Sequence, residues 1–266
     1  MEKSLKNSKL TVAGRRRWWI HLMLVSAYVL YIGVTGLLRQ DRQHFGVAMF
    51  PVTGLLFGYG QEMTLFGVVF GLAFYASKAT PDDLLLLWRG KGEPLLFGAC
   101  YAIGLRVIVT VLLKLLFVVL ILSGALQSYQ FLNIAAAQHT GAERIVSSAA
   151  LRYSPAYFWL SLVFTSFIMA GLSEELWRSA FIAALKRLWP DNFKSSLGQV
   201  GAVAIAAVMF GFGHTTQSPL AVLQAGLMGF GFGLIMVFHR SIWPAVIAHG
   251  CFDATTMILV QLNVLH

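Results

Sequence analysis

The sequence is poor in charged residues and in cysteine. Only 12% of its 266 residues are charged, and only two are cysteines. Cys100 and Cys251 both lie in apolar segments, so neither a disulfide framework nor a cysteine metal site is indicated. Hydrophobic residues make up 58% of the chain, and the mean hydropathy is +0.72. This composition is too apolar for an ordinary water-soluble domain and predicts an integral membrane protein.

Internal repeats and low-complexity tracts are also lacking, and no cleavable signal peptide is expected. The basic N-terminus is followed by an apolar run of span length, not by the short core of a secretion signal. Apolar stretches of about 20 residues, long enough to cross a bilayer, recur along the chain. Because backbone groups in lipid must be satisfied internally, such long segments must be helices. We predict an all-α polytopic bundle of seven or eight transmembrane helices with an intramembrane polar site.

The predicted organisation has three parts. A basic tail at 1–17 precedes N-terminal transmembrane helices and a polar loop at 18–154, and a group of hydrophobic helices follows at 155–263. The region 46–77 has enough apolar length for one long helix or two short ones. The other expected helices are about 18–38, 95–123, 155–188, 197–215, 219–238 and 242–263.

The net charge of +9 does not indicate a nucleic-acid partner. Basic residues cluster at the ends of loops, as the positive-inside rule predicts for a membrane protein. This bias places the N-terminus, the loop 78–93, the turn at 186–194 and His239-Arg240 on the cytoplasmic side. Four basic residues fall on the opposite side and depart from the rule: Arg39, Arg42, Arg144 and Arg152. We therefore expect a multi-pass protein of a bacterial inner membrane, surrounded by the lipid bilayer.

Adjacent carboxylates interrupt one of the apolar helices. Glu174 and Glu175 stand within it, and an acid at the centre of a bilayer costs roughly 2.5–3.5 kcal/mol even on insertion scales. His214, His249 and Asp253 lie in apolar segments further along the chain. Because buried carboxylates and imidazoles need partners, these five side chains are predicted to share one site.

Helical spacing relates these residues to one another. His249 and Asp253 are four residues apart and lie on one helical face. Glu174 and Glu175 differ by about 100° around a regular helix, so they cannot both point to one spot. Arg178 would fall about 40° from Glu174 and about 60° from Glu175. The spacing leaves open which glutamate pairs with Arg178 and which is free to act as a base.

Three motifs in order carry a family resemblance. They are Glu174-Glu175 with Arg178, Phe210-Gly-Phe-Gly-His214, and His249-Gly-Cys-Phe-Asp253. Over roughly 155–263 the chain resembles the CPBP family of intramembrane proteases, which includes the type II CAAX prenyl endopeptidases. That family shows a double glutamate followed by arginine, then Phe-x-x-x-His, then His-x-x-x-Asn or Asp. Here only two residues, not the usual three, separate the second glutamate from the arginine.

The resemblance implies an intramembrane endopeptidase in which one glutamate activates a water that attacks a peptide bond. His214 and His249 would hold that water or donate protons. Asp253, where the family often has Asn, would stabilise the oxyanion if it is protonated, or would otherwise serve His249. Family usage favours Glu174 as the base. The implied catalytic residues are Glu174, Glu175, Arg178, His214, His249 and Asp253.

The implied substrate is a membrane-embedded or lipidated protein or peptide. We expect a metal-free glutamate mechanism with no required cofactor. The alternative is a zinc ion held by one Glu and two His, although no His-Glu-x-x-His motif is present. A second functional hypothesis is a catalytically inactive family member that binds a membrane peptide or confers bacteriocin immunity. A proton-coupled transporter is disfavoured because such proteins usually show repeated halves.

Overall fold

The computed structural model describes residues 11–38, 51–127, 130, 133–134 and 146–262. Residues 1–10 of the predicted tail, the basic residues Arg39, Arg42 and Arg144, much of the polar segment near 128–145 and residue 263 lie outside the described residues. All regular secondary structure in the described ranges is helical, which confirms the all-α prediction.

The helices follow the apolar runs of the sequence. They are α1 (Val12–Leu38), α2 (Pro51–Ser77), α3 (Glu93–Leu122), α4 (Ser148–Tyr153), α5 (Pro155–Leu160), a π-helix (Ser161–Glu174), α6 (Glu175–Leu188), α7 (Pro190–Phe193), α8 (Ser196–Gly213), α9 (Pro219–His239) and α10 (Trp243–Gln261). Because α5, the π-helix and α6 are continuous, the described part of the chain contains seven helices long and apolar enough to cross a membrane. In the region 46–77, the described residues 51–77 form the single long helix α2, and 46–50 lie outside the described residues.

Serine and proline set several of the helix starts. The side chain of Ser154 accepts a hydrogen bond from the backbone of Tyr157 at the start of α5, and Ser218 does the same for Ala221 in α9. Each serine is followed by a proline, which is tolerated in a first helical turn because its missing N–H has no partner there. At Ser218 this signal lets α9 begin within a few residues of the end of α8.

Helix α6 lies at the centre of the bundle. Eleven of its 14 residues are buried, and it packs against α1, the π-helix, α8 and α9. Its Trp177 indole donates a hydrogen bond of 2.9 Å to the Val25 carbonyl in α1. By contrast, α3 buries only Pro94, Gly98, Ala102 and Val109 and turns its other apolar side chains outward, as expected for a lipid-facing helix. Glu175, the first residue of α6, is therefore held by a largely buried helix.

The loops predicted to share one side of the membrane lie together at one end of the bundle. The rings of Trp19 and Trp189 are 5.1 Å apart, which joins the start of α1 to the end of α6. Arg89 in the loop after α2 donates a hydrogen bond of 2.9 Å to the Arg240 carbonyl. We call this end, which contains the start of α1, the loop after α2, the end of α6 and Arg240, the basic end of the bundle.

Candidate active site

The π-helix that carries Glu174 packs closely on α10. A Cβ atom added to Gly171 would lie 3.0 Å from the Val246 carbonyl oxygen, and one added to Gly250 would overlap the Phe167 ring. Such small residues allow two backbones to approach closely in a membrane. The π-helix ends at Glu174 and regular α-helix begins at Glu175, so the glutamate pair straddles the junction. Long π-helical stretches are rare, and π-bulges frequently occur at functional sites.

Glu175 is fully buried and has two partners. Its Oε1 accepts a hydrogen bond of 2.9 Å from Nδ1 of His249 in α10. Its Oε2 forms an ion pair with the Arg178 guanidinium, three residues later on α6, and both side chains are 0% exposed. Of the two pairings that the spacing allowed, the structure therefore has Arg178 with Glu175, not with Glu174.

A slot in α9 accommodates Arg178. Its guanidinium carbon lies 4.3 Å from the centre of the Phe210 ring, a cation–π distance. On the other side, a Cβ on Gly229 would lie 3.3 Å from Nη2 of Arg178, and one on Gly233 would lie 3.4 Å from its Cδ. The two glycines leave room for the arginine, and the aromatic ring faces its charge.

His249 lies between the buried carboxylate of Glu175 and the more accessible carboxylates of Glu174 and Asp253. Its ring stacks on Phe232 of α9 with centroids 4.5 Å apart. Because Nδ1–H donates to Glu175, Nε2 is the ring atom that faces the other acids. It lies 3.6 Å from Oε2 of Glu174 and 3.9 Å from Oδ2 of Asp253. The imidazole is thus fixed on one side and open to a reacting group on the other.

Glu174 is the more accessible member of the pair. Its side chain is 31% exposed, and that of Asp253 is 28% exposed. Oε2 of Glu174 is itself buried and has no hydrogen-bond partner among the described residues. Its separation from His249 is too long for a direct hydrogen bond but suits a bridging water.

His214 joins this group through Phe210. It caps the end of α8, and its Nδ1–H donates a hydrogen bond of 3.0 Å to the Phe210 carbonyl. The Phe210 ring centre lies 4.6 Å from that of His214 and 6.3 Å from that of His249. The phenylalanine of the Phe-x-x-x-His motif thus contacts both histidines as well as Arg178.

Three contributors to the site were not predicted as site residues. Phe232 stacks on His249, and Gly229 and Gly233 border Arg178. All three fall in the apolar helix α9, where nothing in the sequence distinguishes a site-facing residue from a packing residue. The run of small residues in this helix predicts close helix packing. It does not indicate which side chain packs against the glycines.

Some donor atoms that the zinc alternative could use are already engaged with protein groups. Among the residues that the structure describes, no three His, Cys, Asp or Glu side chains are grouped so that they could hold a metal ion. Both oxygens of Glu175 face protein cations or N–H groups, and Nδ1 of His249 faces Glu175. A tetrahedral zinc site needs such donor atoms to converge on one point.

Comparison with known proteins gives one match. Residues 155–255 match the family model described as Type II CAAX prenyl endopeptidase Rce1-like. No curated protein matches the chain. No solved structure matches it either. The matched region begins with α5 and runs through the π-helix to α10, so it contains every residue of the site described above. Residues 155–255 of this multi-pass membrane protein are therefore similar to the Rce1-like family of type II CAAX prenyl endopeptidases, consistent with the CPBP resemblance.

Proposed function

We propose that the protein is a CAAX-type intramembrane endopeptidase in which Glu174 activates the attacking water. The observation that carries this proposal is the asymmetry of the glutamate pair. Glu175 is enclosed and neutralised by Arg178 and His249, whereas Glu174 is partly exposed with an unpartnered oxygen 3.6 Å from the imidazole. A general base must reach a water, and only Glu174 has both the access and a second polar group to hold that water.

The proposed reaction follows from this geometry. A water between Glu174 and Nε2 of His249 gives a proton to Glu174 as its oxygen attacks the peptide carbonyl carbon. The tetrahedral oxyanion is stabilised by polar groups at the open side of the site. The C–N bond then breaks, and the proton held by Glu174 passes to the leaving amine. This leaves a new carboxyl group and a free amine, and the enzyme returns to its starting state.

The remaining residues have supporting roles in this scheme. Glu175 fixes the orientation and tautomer of His249, and Arg178 keeps Glu175 ionised in an apolar helix. Since Glu175 already orients His249, Asp253 is assigned to the oxyanion, to which it donates in its protonated form. His214, whose Nδ1–H is engaged with Phe210, offers Nε2 to the water or to the substrate.

The proposed substrate is a membrane-embedded or lipidated protein or peptide, because the carboxylates lie within apolar spans. We also propose that the basic end faces the cytoplasm of a bacterial inner membrane. This orientation rests on the cluster of Lys and Arg at that end.

Cleavage of a lipidated peptide in liposomes tests the base assignment. Glu174→Gln is expected to lower the turnover number by at least about 100-fold, the usual range for loss of a general base, while the protein stays folded. Glu93→Gln, at an exposed position at the start of α3, is the matched control and should leave turnover unchanged. Unchanged cleavage by Glu174→Gln would remove Glu174 from the mechanism. No cleavage by any variant, including the wild type, would favour the inactive peptide-binding alternative.

A further inference from the structure

A cavity lies at the basic end, away from the glutamate pair. It has a volume of about 1030 Å³ and is lined by the loop after α2, the end of α6, the start of α8 and the end of α9. Its helical lining residues fall within about three turns of helix ends, so the cavity lies at the border of the bundle and not at its centre. Tyr101 near the start of α3 completes the lining.

The charges around this cavity do not balance. Four cations line it, against two acids. Asp82 pairs with Arg89 at 3.1 Å, and Asp83 pairs with Arg187. The other two lining cations are Lys186 and Arg240. Neither has an ion-pair partner within the described ranges, so the cavity keeps an excess of two positive charges.

The inner wall of the same cavity is apolar. It is formed mainly by the last turns of α6 and α9, with Ile182, Leu234, Ile235 and Phe238 among the lining residues. Phe238 is 80% exposed, which places a bare aromatic ring at the outer surface of the bundle. A cavity that combines two free cations with an apolar wall is complementary to an anionic amphiphile.

The level of the cavity relative to the membrane supports the same class of ligand. Trp88 and Trp243 lie at this end with ring centres 5.6 Å apart, and Trp19 contacts Trp189 here. Tryptophan side chains concentrate where the acyl region of a membrane meets its head groups. Lys186 and Arg240 are therefore at the height where lipid phosphates lie, and the apolar wall extends from them into the acyl region.

We propose that this cavity binds one acidic phospholipid, with its phosphate between Lys186 and Arg240 and an acyl chain along the α6–α9 wall. A soluble anion would use the two cations but leave the apolar wall uncovered, whereas a phospholipid satisfies both. Lys and Arg near a membrane surface attract anionic lipid. The inference does not depend on peptidase activity, because the proposed lipid contacts none of the residues assigned to catalysis.

Lipid binding to the purified full chain in detergent tests this proposal. Native mass spectrometry and thermal unfolding would compare phosphatidylglycerol with phosphatidylcholine of the same acyl chains. We expect phosphatidylglycerol to bind at least about tenfold more tightly, because two cations contribute. The double variant Lys186→Gln/Arg240→Gln should abolish this preference while still binding phosphatidylcholine. Soluble glycerol phosphate should give no shift in the unfolding temperature.

The chain offers a closely matched control variant. Lys78→Gln/Lys194→Gln also removes two positive charges, and neither residue lines the cavity. Lys78 has a positive φ of 55°, close to the 51° of Arg240, so the two double variants carry the same backbone cost. The control should keep the full preference for phosphatidylglycerol. Equal affinity for the two lipids, a preference that survives in Lys186→Gln/Arg240→Gln, or a preference lost equally in the control would each overturn the proposal. Tight binding of glycerol phosphate would assign the cavity to a soluble anion instead.

Discussion

Glu175 and His249 are joined by a hydrogen bond of 2.9 Å between residues 74 positions apart in the sequence. The bond ties the start of α6 to the middle of α10 and fixes the imidazole on its Nδ1 side. Because Arg178 neutralises the same carboxylate from within α6, the histidine receives a buried, charged and immobile partner. The opposite ring nitrogen then faces Glu174, so the two adjacent glutamates contact opposite sides of the same imidazole.

Removal of Arg178 should destabilise the protein strongly. Arg178→Met leaves Glu175 as a buried charge without its cation, and breaking a buried pair from one side typically costs about 3–5 kcal/mol. Thermal or chemical unfolding in detergent measures this loss. Lys194→Met is the control, since its pair with Asp191 is exposed and should cost about 1 kcal/mol or less. If the two variants were equally stable, Arg178 would not be what keeps Glu175 in place.

The slot beside Arg178 should not tolerate a methyl group at Gly229. In Gly229→Ala the new Cβ would lie 2.7 Å from Cδ1 of Phe210 and 3.3 Å from Nη2 of Arg178. Overpacking of this kind costs about 1–3 kcal/mol and should lower cleavage by displacing the arginine. Gly226→Ala, one turn earlier on the same helix, meets only ordinary contact at 3.6 Å from the Ala207 carbonyl. Stability and cleavage measured on both variants test the slot, and equal behaviour would contradict it.

Much of this fold could be predicted from the sequence because the bilayer leaves few choices. Long apolar runs must be helices in lipid, and the Ser-Pro pairs at Ser154 and Ser218 mark where new helices start. The polar residues of the site could be found because Glu and His are costly at membrane depth and so stand out in apolar segments.

The pairing inside the site could not be predicted from spacing. That argument assumed a regular helix of about 100° per residue through the glutamate pair. The chain instead forms a π-helix up to Glu174, so only Glu175 is in regular register with Arg178.

Phe232 and Gly229 were missed for a different reason. In a helix that is apolar all round, hydrophobic periodicity does not indicate which residue faces a site.

The loop between α2 and α3 should lose stability in acid. Burial raises the pKa of Asp83, but hydrogen bonds from Thr80 and the ion pair with Arg187 outweigh this effect and hold that pKa below its ordinary value. A lowered folded-state pKa contributes stability above the unfolded value of about 3.9, and this contribution is lost as the pH falls through the folded pKa. At pH 7, Asp83→Asn should lower Tm by about 2–4 °C, which corresponds to about 1 kcal/mol.

A pH series from 7 to 3 checks the origin of that effect. The difference in Tm between wild type and Asp83→Asn should begin to shrink below about pH 4, because the wild-type carboxyl starts to become protonated there. Asp82→Asn is the control, since its side chain is 73% exposed and its pair with Arg89 should contribute little. A difference that stays constant with pH would assign the effect of Asp83→Asn to packing and not to charge.

Removal of metal ions should leave the proposed cleavage intact. Glu174 and His249 act on the water directly in this scheme, while the oxygens of Glu175 and Nδ1 of His249 are engaged with protein groups. After prolonged treatment with 1,10-phenanthroline and removal of the chelator, we expect turnover within about twofold of the untreated protein. Elemental analysis of the purified protein should find well under one zinc per chain. Loss of turnover that added zinc restores would refute the metal-free mechanism.

Replacement of Asp253 distinguishes its two proposed roles. The carboxyl is 3.9 Å from Nε2 of His249, beyond hydrogen-bond distance, and Glu175 already orients that ring. If Asp253 donates to the oxyanion in its protonated form, the amide of Asp253→Asn can replace it, and turnover should stay within about tenfold or increase. Asp253→Ala removes the donor and should lower turnover by about 100-fold or more, with the KM changed much less. Equal losses in the two variants would show that the negative charge of Asp253 is needed, and would assign the residue to His249 instead of the oxyanion.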